Sequence, residues 1–429
     1  MKLRIHLLAA LLALSACARQ EPAPAPEPAP APEAATAGVV ALDEFGPFEG
    51  RVNAIAFWVH PSVPFNSMAI VATDAGLVAL NIEDGKEVSR IEGFKASAVQ
   101  LIYEDVYSLT DPDGFKSRGV VVVRDETARS IRFFEIHNAT RELSEIGEGF
   151  AIDTVDDFEA FCAGPQFLGP NRLVAFSLKV MRTFDIDIGK DSVSVQPTAL
   201  EGEFERAQPA PARGCTIDKR DAEMFVLYDT GEVAQFTEHT RRRMEVFTAT
   251  RIANPVGIDL SLNGVASDGD ESDCCGQIGV LDADAAIIRL YDYDDGRALG
   301  NVRIKASFDI EAVEKATAFG MGQGNFGGPY RDGVIALATE GGAPVIRLAP
   351  LNGALEAVAV KFGETHNPRI MNPNPLEYQC SELEGAGEQF AECAPYREGA
   401  PPPGLAMPEF APPVPGDAGA MNEAAPTDE

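Results

Sequence analysis

The chain is poor in basic residues: 35 Lys and Arg stand against 66 Asp and Glu, a formal net charge of -31 over 429 residues. That balance excludes a general nucleic-acid binder and direct attraction to anionic lipid, because either polyanion would be repelled over most of the surface. There is one tryptophan and there are only five histidines, and no HExxH pair stands among them. No GxSxG nucleophile turn, phosphate-binding loop with its lysine, or zinc-type pair of CxxC units is present. GMGQGNFGG (320–328) is glycine-rich but lacks a following helical pattern, which speaks against a dinucleotide site. Long helical periodicity is missing as well. The only apolar run near bilayer scale lies at the N-terminus, and it is too short to span.

What is there begins with that run. Lys2 and Arg4 precede an apolar stretch, Leu7 to Leu14, that ends in Leu14-Ser15-Ala16-Cys17. This resembles a bacterial lipobox, so residues 1–16 read as a lipoprotein signal and Cys17 as the lipidated residue. Residues 17–38 form a Pro/Ala-rich spacer, EPAPAPEPAPAP, suited to hold a domain away from a membrane. Ala18 is not the aspartate of an inner-membrane retention signal, so the expected location is the outer membrane of a bacterial envelope. The membrane contact expected is the lipid alone. A C-terminal extension (351–400) and a Pro/Ala-rich tail (401–429) follow the central region.

With Cys17 assigned to lipid, six cysteines remain, and export places them in an oxidising compartment. Cys380 and Cys393 are thirteen residues apart in the extension and are expected to close a local disulfide. Cys274 and Cys275 either form a vicinal bridge or stay unpaired.

Residues 39–350 repeat six times. MAIVAT (68–73), GVVVVR (119–124), LVAFSL (173–178), MFVLYD (224–229), QIGVLD (277–282) and GVIALA (333–338) start 51, 54, 51, 53 and 56 residues apart. Each precedes a second strand, such as GLVALNI (76–82) or SIRFFEI (130–136). Upstream of each pair lies a third: NAIAFWV (53–59), SAVQLIY (97–103), DFEAFCA (157–163), RGCTID (213–218), NPVGIDL (254–260) and KATAFGM (315–321). Three strands plus a more variable outer one make a four-stranded blade, and a period near fifty predicts an all-β, six-bladed β-propeller. The upstream set should line the central channel. Cys162 and Cys215 fall on neighbouring members of that set, so a disulfide stapling two blades is geometrically open to them.

At these inner strands the sequence resembles the β-propeller phytases, calcium-dependent six-bladed enzymes that remove phosphate from myo-inositol hexakisphosphate. The likeness covers roughly residues 45–350 and is clearest over 53–88, where Trp58, His60-Pro61, Gly76-Leu77 and Asp84-Gly85-Lys86 fall on family positions. The resemblance implies calcium held by inner-strand carboxylates and phosphate held by basic residues. Asp157, Asp229, Glu314 and Glu340 stand at or near acidic family positions, Lys179 falls on a phosphate-binding lysine, and Arg124 lies one position from an arginine. Most other ligands are replaced. The paired aspartates become Asn53 and Ala54, and the family's NNVD-x-R becomes Ser97 to Ile102. Arg213 stands for a glutamate, Asn254 and Val256 for an aspartate and a glutamate, and Thr317 for an aspartate. Calcium should therefore be weakly held or absent.

Two function classes follow. One is a propeller that has lost phosphatase chemistry and binds an envelope protein or a small anionic ligand, with Arg213, Asp157 and Glu340 at the binding site. The other is an active calcium-dependent phytase with relocated ligands. Two further features weigh little. DGDESDCCGQ (268–277) alternates acids like a calcium loop but has no glutamate at the twelfth position and no flanking helices, so it reads as a solvated hairpin. Arg241-Arg242-Arg243 reads as surface.

Overall fold

A computed structural model describes residues 36–104, 118–151, 158–165, 171–178, 180–189, 191–198, 206–207, 210–218, 223–236, 244–247, 252–262, 276–360 and 368–369. Cys17, Asp157, Lys179, Cys274, Cys275, Cys380, Cys393, the arginine run at 241–243, the signal, the spacer up to residue 35 and the tail lie outside them.

The repeats are six antiparallel sheets. Their inner strands are Val52–Trp58, Ala96–Glu104, Phe158–Gly164, Ala212–Ile217, Pro255–Leu262 and Ala316–Gly322, which define blades one to six. Each inner strand packs beside the inner strands of both neighbouring blades, so the six close into a ring. The fold is a six-bladed β-propeller.

The second strand of every blade reads as an unbroken apolar run because both of its faces are buried. In Met68–Thr73, every residue is buried. Met68, Ile70 and Ala72 face blade two, while Ala69 and Val71 face blade six. Val121 and Val123 likewise face blade one, and Val120 and Val122 face blade three. The core is thus six separate apolar clusters, one in each interface between adjacent blades. Each fully buried Val, Leu or Ile contributes about 1.5–3 kcal/mol. Tight turns hold the strands in register. At Gly76, φ is +138° and a Cβ would lie 1.9 Å from the carbonyl oxygen of Ile91, so this turn admits only glycine.

The ring closes with chain from its beginning. Asp43–Phe45 is the outer strand of blade six, antiparallel to Ile346–Pro350. Thr36–Val40 adds a fifth strand to blade five, parallel to Ala298–Lys305. Arg347, buried, donates from Nε to Glu44 Oε2 at 2.7 Å, and Tyr330 donates its hydroxyl to Asp43 Oδ2 at 2.6 Å. A seven-residue helix, Leu351–Ala357, follows blade six and packs its buried Leu351, Ala354 and Leu355 into the interface of blades five and six.

Candidate functional site at the channel mouth

All six inner strands begin with the same irregularity. The first residue pairs with the second strand, the next is skipped, and pairing resumes at the third. The skipped residues are Asn53, Ser97, Glu159, Arg213, Val256 and Thr317. A bulge leaves its extra residue unpaired and re-aims the side chain. The residues that follow are all small: Ala54, Ala98, Ala160, Gly214, Gly257 and Ala318. Larger side chains at this level would fill the space on which six strands converge. Five of the bulge residues, Asn53, Ser97, Arg213, Val256 and Thr317, stand where the sequence departs from the phytase pattern it resembles.

Each inner strand is the last strand of its sheet, so its other edge is free of sheet pairing. These edges surround a cavity of about 170 Å³ on the axis. Several side chains link one blade to another across it. Asn53 Nδ2 donates to the carbonyl of Ala96 at 2.9 Å, and Thr317 Oγ1 donates to the carbonyl of Val52 at 2.8 Å. These two bonds are equivalent: each runs from a bulge side chain to the first inner-strand residue of the following blade. Gln100 Nε2 reaches the carbonyl of Cys215 at 3.3 Å, and Gln323 Nε2 that of Leu260 at 2.7 Å. The Met321 N–H donates to Asp259 Oδ2 at 2.8 Å. Cys162 and Cys215 are joined in a disulfide with their Cα atoms 5.5 Å apart, which staples blades three and four as their neighbouring inner strands allow.

Pro368, from beyond the propeller, also lines the channel. The buried Arg369 beside it lies over the rings of Trp58 and Tyr103, at 5.1 and 4.7 Å, and donates to the carbonyl of Val59. Burial pushes the Tyr103 phenol up to about 12, and the Val59 N–H donates to its oxygen at 2.8 Å. His60 stands against Trp58, ring to ring at 5.4 Å. Its Nδ1 accepts the N–H groups of Ser62 and Val63, so the proton sits on Nε2 and is given to the carbonyl of Asn138 at 3.1 Å. Burial lowers the imidazole below its ordinary range.

At the bulge end, the residue two positions before each described bulge side chain accepts a repeated hydrogen bond. The carbonyls of Arg51, Lys95, Pro211, Asn254 and Lys315 accept the N–H groups of Asp74, Glu126, Asp229, Ala283 and Glu340, at 2.9–3.1 Å. This brings basic and acidic side chains together around the mouth. Lys95 Nζ lies 3.1 Å from Glu126 Oε2, and Lys315 Nζ lies 3.8 Å from Glu340 Oε2. Asn254 Nδ2 donates to Asp284 Oδ1 at 3.2 Å. A depression of about 320 Å³ lies among Arg51, Arg213, Asn254, Asp284, Lys315 and Glu340. Arg213 lines both this depression and the axial cavity. Among the described residues, the guanidinium groups of Arg51 and Arg213 enter no ion pair, although the chain as a whole is strongly acidic.

The structure therefore brings Arg213 and Glu340 together in one depression. Asp229 is half-buried in the turn after the second strand of blade four, and Glu314 is exposed just before the inner strand of blade six. Among the described residues, no three His, Cys, Asp or Glu side chains gather where they could share a metal. Arg124 is away from the cavity walls, with its guanidinium 4.5 Å from the centre of the Phe158 ring. Sequence reasoning missed Arg51 and Lys315. Aligned on the bulge residues Asn53, Ser97 and Thr317, the repeats carry Arg51, Lys95 and Lys315 in one column two positions upstream.

No family model matches the chain, and no curated protein matches it. Among solved structures it is similar to the WD40 repeats of RRP9, at 10% identity over 72% of this chain and 79% of that one, with a TM-score of 0.39.

Proposed function

We propose that this chain is a phytase-like β-propeller without phosphatase chemistry, which binds a small anion at the bulge end of its channel. In this reading it is tethered to the bacterial outer membrane through a lipid on Cys17. The observation that carries the proposal is what the bulge side chains do. A carboxylate cannot donate a hydrogen bond, yet Asn53 and Thr317 both donate to the next blade's carbonyl. Residues that stand where the family has metal-binding acids thus serve to knit the ring. Val256 offers no ligand, and Arg213 puts positive charge where a cation would have to sit.

Calcium takes six to eight oxygen ligands at about 2.3–2.6 Å. Of the six bulge residues only Glu159 is a carboxylate by sequence, and the set does not fit the ion. Binding of a modest anion is supported by Arg51 and Arg213, with Lys315 beside them. Hexakisphosphate would need far denser positive charge than these three groups supply.

The test uses the full chain in detergent. With calcium and phytate it should release no phosphate above a blank, while inorganic phosphate should bind and lose affinity in Arg213→Gln. Calcium-dependent turnover that falls when Asp157, Asp229 or Glu340 is neutralised would overturn the proposal and make the chain an active phytase with relocated ligands. The tether has its own test, since Cys17→Ala should move the protein from the membrane fraction to the soluble fraction.

A further inference from the structure

One cavity on the propeller axis is lined by both Arg213 and Asp259, groups of opposite charge on adjacent blades. Arg213 is the bulge residue of its strand, while Asp259 stands three residues beyond the bulge residue of the next. At about 3.3 Å per residue, this sets the two backbone positions roughly 10 Å apart in depth. The carboxylate of Asp259 is fixed rather than mobile: Oδ1 accepts the Leu260 N–H at 2.9 Å and Oδ2 the Met321 N–H at 2.8 Å. Around it run inner-strand edges free of sheet pairing, a source of carbonyl acceptors. Thr216 and Gln100 add polar side chains to the same wall. The cavity, about 170 Å³, is close to the ~150 Å³ that accepts a benzene-sized guest.

We infer that the channel takes a small zwitterion, of the amino acid or ω-amino acid class, with its anionic end at Arg213 and its ammonium toward Asp259 and the strand-edge carbonyls. This rests on the anion-binding reading above and names what else the ligand must carry. An ammonium has three donors and suits a site of fixed acceptors. By the same comparison, the volume admits molecules of about seven non-hydrogen atoms, the size of 4-aminobutyrate.

The experiment is calorimetry on the full chain with glycine, 4-aminobutyrate and 6-aminohexanoate, beside butyrate, hexanoate, butylamine and inorganic phosphate. At least one amino acid should bind about tenfold tighter than the carboxylate of the same length, a difference of about 1.4 kcal/mol. Asp259→Asn, which keeps an acceptor for the Met321 N–H, should abolish that advantage, and Arg213→Gln should weaken both members of the pair. Equal binding of butyrate and 4-aminobutyrate, indifferent to Asp259→Asn, overturns the zwitterion while leaving the anion site standing. Butylamine binding as tightly as the amino acids overturns it too. No binding of any probe, phosphate included, sinks both readings. Should Asp259→Asn melt early, the butyrate against 4-aminobutyrate comparison on the unaltered protein decides alone.

Discussion

Thr317 donates its hydroxyl hydrogen to the carbonyl of Val52, 2.8 Å away, at the junction where the sixth blade meets the first. Asn53 makes the equivalent bond to Ala96 at the next junction. Both donors are buried or half-buried, so neither carbonyl is readily compensated by water. Asn53→Asp and Thr317→Val should each cost about 1–3 kcal/mol in urea unfolding, with Asn53→Asp the worse because a charge would face a carbonyl. An Asn53→Asp protein as stable as the parent would remove the argument that this residue knits the ring.

Arg347 binds Glu44 on the closing strand and also donates to the carbonyl of Ala312 at 2.7 Å. Its side chain is 9% exposed against 36% for that of Glu44. Replacing the arginine therefore removes bonds to two elements, whereas replacing the glutamate leaves a cation that water can still partly reach. Arg347→Met should destabilise by about 2–3 kcal/mol and Glu44→Gln by about 1 kcal/mol. The opposite ranking, by chemical denaturation, would argue that the closing strand is held by its backbone alone.

His60 ties stability to pH. Its Nδ1 already accepts two N–H groups, and burial holds its pKa below the ordinary value. The unfolded chain therefore binds this proton more readily than the folded one. Stability should be full above about pH 6.5 and fall as the pH drops toward the folded value. Asp84 and Glu87 have pKa values lowered by their Lys86 and Arg90 partners, so their contributions are lost only at more acidic pH. His60→Asn should flatten the melting temperature between about pH 5 and 6.5 relative to the parent. A parent whose stability is flat across that interval would contradict the assignment.

The Cys162–Cys215 bridge spans 53 residues. Chain-entropy arithmetic for a loop of that length gives about 4 kcal/mol. The Cys162→Ser, Cys215→Ser double variant should unfold at correspondingly lower urea, and peptide mapping without reductant should recover the linked pair. Recovery of Cys162 joined to Cys274 would refute the pairing.

The blades were legible because their second strands are buried on both faces and so stand out as repeated apolar runs. The disulfide was legible because the repeat puts Cys162 and Cys215 on neighbouring strands. The closing strands were not. Asp43–Phe45 is three residues long and mostly acidic, and its partner lies some 300 residues away, so no local pattern marks it. A trace existed nonetheless: the sixth repeat lacks a fourth strand of its own before the chain turns helical at Leu351. The site was half visible. Arg213 stood out as a charge reversal, but Arg51 precedes the strand used to align the first repeat, and Lys315 heads the last one out of column with it. The skipped register at each inner strand is a property of pairing between strands and leaves in the sequence only the small residue that follows it.

The closing strands also order events in time. Residues 36–45 leave the ribosome before any blade is made, yet their partners at 298–305 and 346–350 belong to the last two blades. Bringing together ends about 300 residues apart costs about 1.5 kcal/mol more in chain entropy than closing the ~50 residues of one blade. Blades one to four can form while the leading segment waits unpaired, and the outer edges of blades five and six stay open until it returns. Sealing the ring should then be the slow step of assembly, and a chain cut short before residue 346 would leave Asp43–Phe45 with nothing to close against.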